Sequence, residues 1–343
     1  MAAKIKRWVG DARHSLAGCA GTLAALAGRR ILDRQGSLDW LRAHGLASEP
    51  GVVGEMRDSR GSDILRLGVV RAADGRCLDL DYGARAALSG WSGPVVDCDH
   101  AAALWSHPWM GYYHWILDVA PKIVLMQEKY GLALGPLKLC YPRTDASFES
   151  ETLELLGVPA SAVLDTRPVR RVHTQKLDYV LLPGWYQVQS AAALLRSRLL
   201  DKAAPGQGKR LYLARAGRRK CLDEQKVFSA LRQRGFLFVE DKPRSLPEQI
   251  GLFRNAEAIV TPHGAALTNL LWCEPGTLVV ELFGPNYQPP YYENLSHFRG
   301  LDYRPLRAAA TGPAHWSAMD EDIPVDIGGL MNLLDAAGIP SIA

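Results

Sequence analysis

The second half of the sequence alternates short apolar runs with amphipathic segments, and this alternation constrains the fold more than any other feature. Apolar runs typical of buried strands occupy residues 210–215, 236–240, 257–261 and 277–284. Helical patterns lie between them at 223–235, 245–256 and 265–273. Near-continuous apolar strands that alternate with helices indicate a parallel sheet covered on both faces. The sequence therefore predicts a Rossmann-like α/β domain here.

The ends of the predicted helices carry recognisable signals. Gly235 follows the first helix, as expected for a left-handed C-terminal residue. Ser245 opens the second helix with Glu248 three residues later, which is the capping-box spacing. Pro275 and Gly276 end the third. These signals support the predicted helix limits.

The first half predicts a second α/β domain from weaker signals. Short strand-like runs lie between residues 36 and 100, followed by an aromatic-rich block at 104–131. Strand, helix and strand patterns follow at 137–142, 151–158 and 177–184, and a helix at 190–202 leads into the linker-like "AAPGQGK". We place the domain boundary near 185–207. The predicted domains are a leader at 1–35, an N-terminal α/β domain at 36–190, a C-terminal Rossmann-like domain at 205–315 and a helical segment at 316–343.

Charge and cysteine usage restrict the partners and the compartment. The net charge is +4 over 343 residues, without a long block of Lys or Arg, which argues against a nucleic-acid partner. Six cysteines are scattered singly, without a Cys-x-x-Cys pair. This pattern argues against a structural zinc site and a disulfide scaffold. It favours the reducing cytoplasm.

The leader at 1–35 leaves the membrane question open. Four basic residues lie among the first 13, and a diluted apolar run leads to Ala25-Leu26-Ala27, which resembles a cleavage site. Nothing near 20 consecutive apolar residues follows, so we do not expect a spanning helix. We expect a cytoplasmic protein that contacts the inner membrane peripherally through this leader. A signal peptide and a simple helix are the alternatives.

At residues 261–266, "TPHGAA", a predicted strand ends and a predicted helix begins. Such a junction is suited to bind an anion. Ligands of open α/β sheets bind outside the carboxyl ends of strands, where the next helix presents unpaired N–H groups. A helix N-terminus stabilises an anion by roughly 0.3–1 kcal/mol. Gly264 and the small Ala265 would let a ligand approach, and His263 would donate to a phosphate or sugar oxygen. The alternative is a tight turn with a structural histidine.

A basic loop follows the first strand of the same domain. Arg215 closes that strand, and Arg218, Arg219 and Lys220 come directly after it. Because parallel strands end at the same edge of the sheet, these cations should lie on the edge that carries His263. Guanidinium groups match phosphate oxygens in pairs. The pattern predicts a diphosphate site, and a solvated basic loop is the alternative.

Glu281 is an acidic residue inside the apolar run 277–284. Acidic side chains are almost never buried unless they are paired. Glu281 is therefore either paired in the core or placed at the strand edge to hold ribose hydroxyls. We prefer the ribose-binding interpretation.

The aromatic block contains a candidate catalytic pair. His114 and Asp118 are four residues apart in "YYHWILD", so on a helix they share a face. Asp118 can then orient His114 as a general base, or act as the base itself. The alternative is an aromatic core segment with a satisfied histidine. The neighbouring aromatic residues fit either that core or a sugar-stacking platform: Trp105, Trp109, Tyr112, Tyr113 and Trp115.

Other catalytic signatures are weak or absent. Acidic pairs with metal-ligand spacing occur at Asp79/Asp81, at Asp97/Asp99 and in the run 320–322. We expect none of them beside the cationic strand edge, where the arginines supply the charge of a metal, so no catalytic metal is predicted. A metal-dependent transferase remains an alternative. The sequence has no P-loop motif and no Gly-x-Gly-x-x-Gly ahead of a helix, which argues against nucleotide triphosphatases and dehydrogenases.

The chain resembles glycosyltransferase family 61 in four segments. These are "YYHWILDVAPKIVLM", "RLYLARAGRRKCLDEQKVFSALRQRGF", "SLPEQIGLFRNAEAIVTPHGAALTNLLWCEPGTLVVEL" and "YYENLS", within roughly residues 104–300. The family includes bacterial capsular-polysaccharide proteins, plant xylan-decorating transferases and animal O-linked GlcNAc transferases. The resemblance implies a GT-B fold, with two facing Rossmann-like domains and a cleft between them. It also implies inversion at the anomeric carbon and use of a nucleotide sugar, usually UDP-linked, as co-substrate without metal or cofactor.

The resemblance also implies roles for particular residues. On the donor side it places Arg215, Arg219, Ser245, His263, Gly264, Ala265, Asn269 and Glu281. It places His114 and Asp118 on the cleft face of the other domain. One departure is Asp223-Glu224, where members commonly have Asn-Glu; we expect Asp223 to cap the following helix.

These observations predict an inverting glycosyltransferase with a glycan or glycolipid acceptor. The resemblance suggests a role in bacterial capsular or surface polysaccharide synthesis. The alternative is a non-catalytic, carbohydrate-binding scaffold subunit of a polysaccharide assembly complex.

Overall fold

The computed structural model describes residues 31–46, 50–78, 80, 93–104, 111–182, 185–312 and 316–342. It divides into two compact units, one ending at Leu195 and the other beginning at Arg196. Residues 1–30 of the predicted leader lie outside the described residues, as do Trp105, Trp109, Asp79 and Asp81. None of the described helices is long and apolar enough to cross a membrane.

The described part of the first unit is built on a mixed sheet of eight strands. The strands are Val53–Leu65 (β1), Val70–Arg71 (β2), Cys77–Leu78 (β3), Val95–Asp97 (β4), His100–Ala103 (β5), Lys138–Tyr141 (β6), Val163–Asp165 (β7) and Arg171–Val180 (β8). Their order is β3-β2-β1-β8-β5-β6-β7, and β4 also pairs with β8. Strands β4 and β5 each pair in parallel with β8, and the pairs β5–β6 and β6–β7 are also parallel. Strand β1 pairs antiparallel with β2 and β8.

Helices of the first unit accompany this sheet. They are Arg34–Ala43 (α1), Tyr112–His114 (α2), Ala120–Tyr130 (α3) and Ser147–Leu155 (α4), with a 3₁₀ turn at Ala160–Ala162. The next helix, Trp185–Leu199 (α5), begins in this unit and continues past its last residue, Leu195. A π-helical turn, Trp115–Val119, joins α2 to α3. Strand β8 begins at Arg171, well before the predicted residue 177. The sequence prediction missed this start because the first residues of the strand are mostly polar and alternate between buried and partly exposed positions. Such a half-exposed strand lacks the apolar run that marked the others.

The second unit contains five strands within its described residues. They are Arg210–Leu213 (β9), Leu237–Val239 (β10), Ala258–Pro262 (β11), Leu278–Phe283 (β12) and Asp302–Arg307 (β13). Their order is β10-β9-β11-β12-β13, and every neighbouring pair is parallel. Every residue of β11 and β12 is buried, as expected for central strands covered on both faces. The predicted parallel sheet is confirmed.

Helices connect these parallel strands. They are Glu224–Arg232 (α6), Leu246–Arg254 (α7), Tyr291–Arg299 (α8) and Ile327–Ala336 (α9), with 3₁₀ helices at Leu200–Lys202, Ala265–Trp272 and Trp316–Asp320. The capping box predicted at α7 is confirmed, since Ser245 and Glu248 satisfy each other's backbone N–H groups. At α6, in contrast, Asp223 has left-handed backbone angles and makes no side-chain cap, so its predicted capping role is wrong.

The helix predicted at 265–273 is a 3₁₀ helix that spans residues 265–272. Residues 267–272 are all buried, so the segment has no exposed face along which a 3.6-residue period would appear. The side-chain amide of Asn269 donates to the carbonyl of Ala266 at 3.1 Å. Such local bonds compete with the α-helical pattern. The chain therefore winds more tightly here than the sequence predicts.

Candidate functional site

The loop after β9 holds two arginines in partly buried positions. Arg219 is 7 % exposed and has a left-handed backbone conformation. Its Nη1 donates to the carbonyl of Met319 at 3.0 Å, and its guanidinium lies 5.6 Å from the ring centre of Tyr287. Arg215 donates from Nε to the carbonyl of Arg218 at 2.5 Å. These contacts fix both guanidinium groups at the carboxyl end of β9.

Neither arginine forms an ion pair among the described residues, although Asp241 attracts Arg215 from a greater distance. Arg218 pairs with Asp320 at 3.0 Å, but no ion pair involves Arg215 or Arg219. The buried Nε of Arg219 has no hydrogen-bond partner in the described part of the chain. Burial, followed by repulsion from Arg215 and then Arg218, lowers the pKa of Arg219 to about 10. An anion that neutralised these cations would therefore be strongly favoured.

Gly264 lies against Arg215. A methyl group at Gly264 would collide with the Arg215 guanidinium, although the glycine itself has an extended backbone that any residue adopts. The sequence predicts that Gly264 gives a ligand access to the backbone; in the structure the side chain of Arg215 takes this space. The next two residues, Ala265 and Ala266, are exposed, as expected for the approach to a ligand site.

His263 is packed beneath this surface. It is 4 % exposed, and its ring stacks on Phe283 at 5.2 Å with Tyr287 and Tyr292 nearby. Its Nδ1 hydrogen-bonds to the carboxylate of Glu281. Burial lowers the pKa of His263, the attraction of Glu281 opposes that effect, and repulsion from Arg219 and Arg215 adds to it. The charges of the two arginines thus contribute to the lowered pKa of His263.

Glu281 is paired in the core, which is the alternative to the ribose-binding role that the sequence favoured. The residue is fully buried. One carboxylate oxygen bonds to His263, and the other accepts from the hydroxyl of Tyr303 at 2.6 Å. A buried carboxylate needs such partners, and this one presents no surface to a sugar.

Asn269 also has an internal role. It is 1 % exposed, its amide donates to Gln249 at 2.9 Å, and its carbonyl oxygen accepts from Trp272 at 3.0 Å. These bonds hold the 3₁₀ helix against α7. The predicted contact of Asn269 with the donor is not supported by this arrangement.

Ser245 acts as a helix cap, and this role leads to a stability prediction. Its hydroxyl donates to the Glu248 carboxylate at 2.7 Å and accepts from the Glu248 N–H at 3.4 Å. Ser245→Ala should lower the free energy of unfolding by about 1 kcal/mol, as loss of an N-cap does. Urea denaturation measures this change. An unchanged midpoint would contradict the capping role, and a large loss of ligand affinity would restore the predicted donor contact.

The acidic run 320–322 borders the cationic loop, contrary to the sequence-based expectation. Besides the Arg218–Asp320 pair, the Asp322 carboxylate accepts from the N–H of Lys220 at 2.9 Å. The two segments are 102 residues apart in sequence. These acids therefore hold the loop in place. Among the described residues, no group of three or more His, Cys, Asp or Glu side chains is arranged to hold a metal ion.

A cavity of about 320 Å³ opens at the carboxyl ends of β12 and β13. Its apolar lining includes Leu282, Leu306 and Ile323, and Asp326 stands at its wall. Ile323 also bridges to Cys221, directly after the cationic loop. The segment that contains Ile323 thus lines the cavity and also pairs with the residue that follows the cationic loop.

The His114–Asp118 contact predicted for the first unit is confirmed. Nδ1 of His114 and Oδ2 of Asp118 are 2.7 Å apart, with 19 % and 10 % of the side chains exposed. Asp118 belongs to the π-helical turn that follows α2, and such turns are frequent at functional sites. A histidine held by a carboxylate through Nδ1 presents Nε2 as its basic nitrogen. The pair is therefore suited to remove a proton.

Trp115 belongs to the core rather than to a sugar-stacking platform. It is fully buried, and its indole N–H donates to Thr152 at 3.0 Å. Tyr112 and Tyr113 are only partly buried, so a stacking role stays a prediction for them.

Comparison with known proteins finds a match to one family model. Residues 112–280 match the model of the family described as Glycosyltransferase 61. The resemblance to glycosyltransferase family 61 is thereby confirmed. The family 61 match includes the His114–Asp118 pair, the cationic loop and the turn at His263, and it ends one residue before Glu281.

Two plant proteins are related over short stretches. The Arabidopsis thaliana protein "Beta-1,2-xylosyltransferase" is 29 % identical over 65 residues, which are 19 % of this chain and 12 % of that protein. The Oryza sativa subsp. japonica protein "Beta-1,2-xylosyltransferase RCN11" is 31 % identical over 62 residues, which are 18 % of this chain and 12 % of that protein. The chain thus matches about an eighth of each relative's length. Together with the family 61 match, these relatives support a glycosyltransferase.

Sequence reasoning missed the residues that surround His263 and Glu281. They are Phe283, Tyr287, Tyr291, Tyr292 and Tyr303. Four of them lie in the aromatic run "FGPNYQPPYY", directly after β12. That run was a usable signal, because segments after the strands of a parallel sheet meet at one edge.

Proposed function

We propose that this chain is an inverting glycosyltransferase that moves a sugar from a UDP-linked donor to a hydroxyl of a glycan or glycolipid acceptor. The observation that carries the proposal is the pair of arginines, Arg215 and Arg219, which lie within the family 61 match and form no ion pair among the described residues. A GT-B arrangement, cytoplasmic action near the inner membrane and a role in bacterial surface polysaccharide synthesis belong to the same proposal.

In this scheme the donor diphosphate binds to Arg215 and Arg219. Guanidinium groups bond phosphate oxygens in pairs, and these charge-assisted bonds are about twice as strong as neutral ones. The first N–H groups of the helix at Ala265–Trp272 add donors at the same edge. Two cations supply the positive charge that a divalent metal would provide, so we propose metal-independent transfer. The cavity beside Ile323 is available for the nucleoside.

The acceptor is activated by the histidine of the first unit. Nε2 of His114 removes the proton from an acceptor hydroxyl, while Asp118 holds Nδ1–H and stabilises the resulting imidazolium. The acceptor oxygen bonds to the anomeric carbon from the face opposite the diphosphate. The bond from that carbon to the phosphate oxygen breaks, and the nucleoside diphosphate leaves with the electron pair. The anomeric configuration is thereby inverted.

A thermal-shift panel tests this function. The full chain is heated with UDP, GDP, CDP, UDP-xylose and UDP-N-acetylglucosamine, each in EDTA and in MgCl₂. UDP-xylose is included because both plant relatives are named xylosyltransferases. A ligand at about 100 times its Kd stabilises a protein by about 2.7 kcal/mol, which raises Tm by several degrees.

Each outcome of the panel separates the alternatives. We expect a selective shift with uridine nucleotides in EDTA. A shift that requires MgCl₂ would indicate a metal-dependent transferase. No shift with any nucleotide would contradict the proposal and favour a carbohydrate-binding scaffold.

A further inference from the structure

Three side chains form a chain of hydrogen bonds across the second sheet, in which His263 and Glu281 are buried and Tyr303 is partly buried. His263 follows β11, Glu281 lies in β12 and Tyr303 lies in β13, so each comes from a neighbouring parallel strand. The Tyr303 hydroxyl donates to one oxygen of Glu281, and Nδ1 of His263 bonds to the other. The family 61 match ends before Glu281, so this arrangement goes beyond it.

The carboxylate determines where the proton of His263 resides. Among the described residues, the only ion-pair partner of Glu281 is His263. A fully buried carboxylate is costly without hydrogen-bond donors, so Nδ1 of His263 keeps its proton directed at Glu281. Nε2 is then the nitrogen whose protonation can change. Tyr303 holds the carboxylate in this position.

The charged groups that face His263 favour its neutral form while the site is empty. From the loop after β9, Arg215 and Arg219 repel a protonated ring, and burial acts in the same direction. Aromatic rings also face His263 from the end of β12, from the following loop and from the start of α8: Phe283, Tyr287, Tyr291 and Tyr292. Glu281 attracts a positive charge on the ring. A diphosphate on the two arginines would cancel their repulsion.

We propose that donor binding loads one proton from solvent onto Nε2 of His263, and that the resulting imidazolium donates this N–H to the departing diphosphate. The inference rests on the proposed function. The imidazolium charge is balanced by Glu281 and by phosphate oxygens. When the bond to the anomeric carbon breaks, the electron pair stays on the diphosphate oxygen that accepts from Nε2–H. The proton returns to solvent when the nucleoside diphosphate leaves.

Calorimetric titration with UDP in two buffers tests the inference. PIPES and Tris differ strongly in ionisation enthalpy, so proton uptake makes the measured binding enthalpy differ between them at pH 7. We expect uptake on the order of one proton per UDP, with affinity that falls as pH rises, because the bound state holds the additional proton. Titration of UDP alone into each buffer corrects for the heats of dilution and of nucleotide ionisation in that buffer.

Variants separate the proton linkage from a structural role. His263→Gln and Glu281→Gln should lose the buffer dependence, and Tyr303→Phe should reduce it while keeping the fold and UDP binding. The matched control is His44→Gln, at an exposed histidine of the first unit, which should retain the full uptake.

The outcomes distinguish the inference from the proposed function. If UDP binds the wild type with equal corrected enthalpy in both buffers, the inference is overturned while the proposed function stands. Uptake that persists in His263→Gln also overturns it. If UDP does not bind at all, the proposed function fails and the inference fails with it.

Discussion

His114→Ala should lower the rate of sugar transfer by roughly 10²–10⁴-fold and leave UDP affinity nearly unchanged, because the variant removes only the general base. Product formation at saturating donor measures the rate, and UDP calorimetry measures the affinity. His44→Ala, at an exposed histidine of the same unit, is the matched control and should keep normal activity. Transfer within tenfold of the wild type would show that His114 is not the base.

Asp118→Asn distinguishes the two members of the pair. If Asp118 orients His114 through the 2.7 Å contact, the variant keeps some transfer, because Nε2 is still present. If Asp118 is itself the base, Asp118→Asn lowers the transfer rate as much as His114→Ala does. The ratio of the two rates, measured side by side, decides the assignment.

Arg219→Ala should raise the Kd for UDP by roughly 10–100-fold, since a hydrogen bond to a charged group contributes about 1.5–3 kcal/mol. The guanidinium of Arg219 forms no ion pair among the described residues. Its removal should therefore weaken ligand binding more than it lowers the stability of the fold. Calorimetry measures the Kd, and a melting curve confirms the fold. Arg232→Ala, at an exposed arginine of α6, is the control with the same change of charge. Unchanged UDP affinity in Arg219→Ala would rule out the diphosphate site.

The parallel sheet was predictable because its strands are buried on both faces and therefore read as apolar runs. The capping box at Ser245 and the contact of His114 with Asp118 were also predictable. Each depends on residues only three or four positions apart. Local spacing determines such contacts before any tertiary structure is known.

Contacts between distant segments were not predictable. The role of Glu281 depends on Tyr303, 22 residues later, which the pairing of β12 with β13 brings alongside. The acidic run at Asp320 meets Arg218 across 102 residues. Gly264 faces Arg215 rather than an open approach for a ligand. Nothing local in the sequence specifies these partners.

A crystal structure of the full chain with UDP bound tests the central claim most directly. The account predicts phosphate oxygens at about 2.7–3.2 Å from the guanidinium nitrogens of both Arg215 and Arg219. It also predicts the diphosphate beside the exposed Ala265. A UDP molecule bound elsewhere on the chain, with both arginines untouched, would contradict the account.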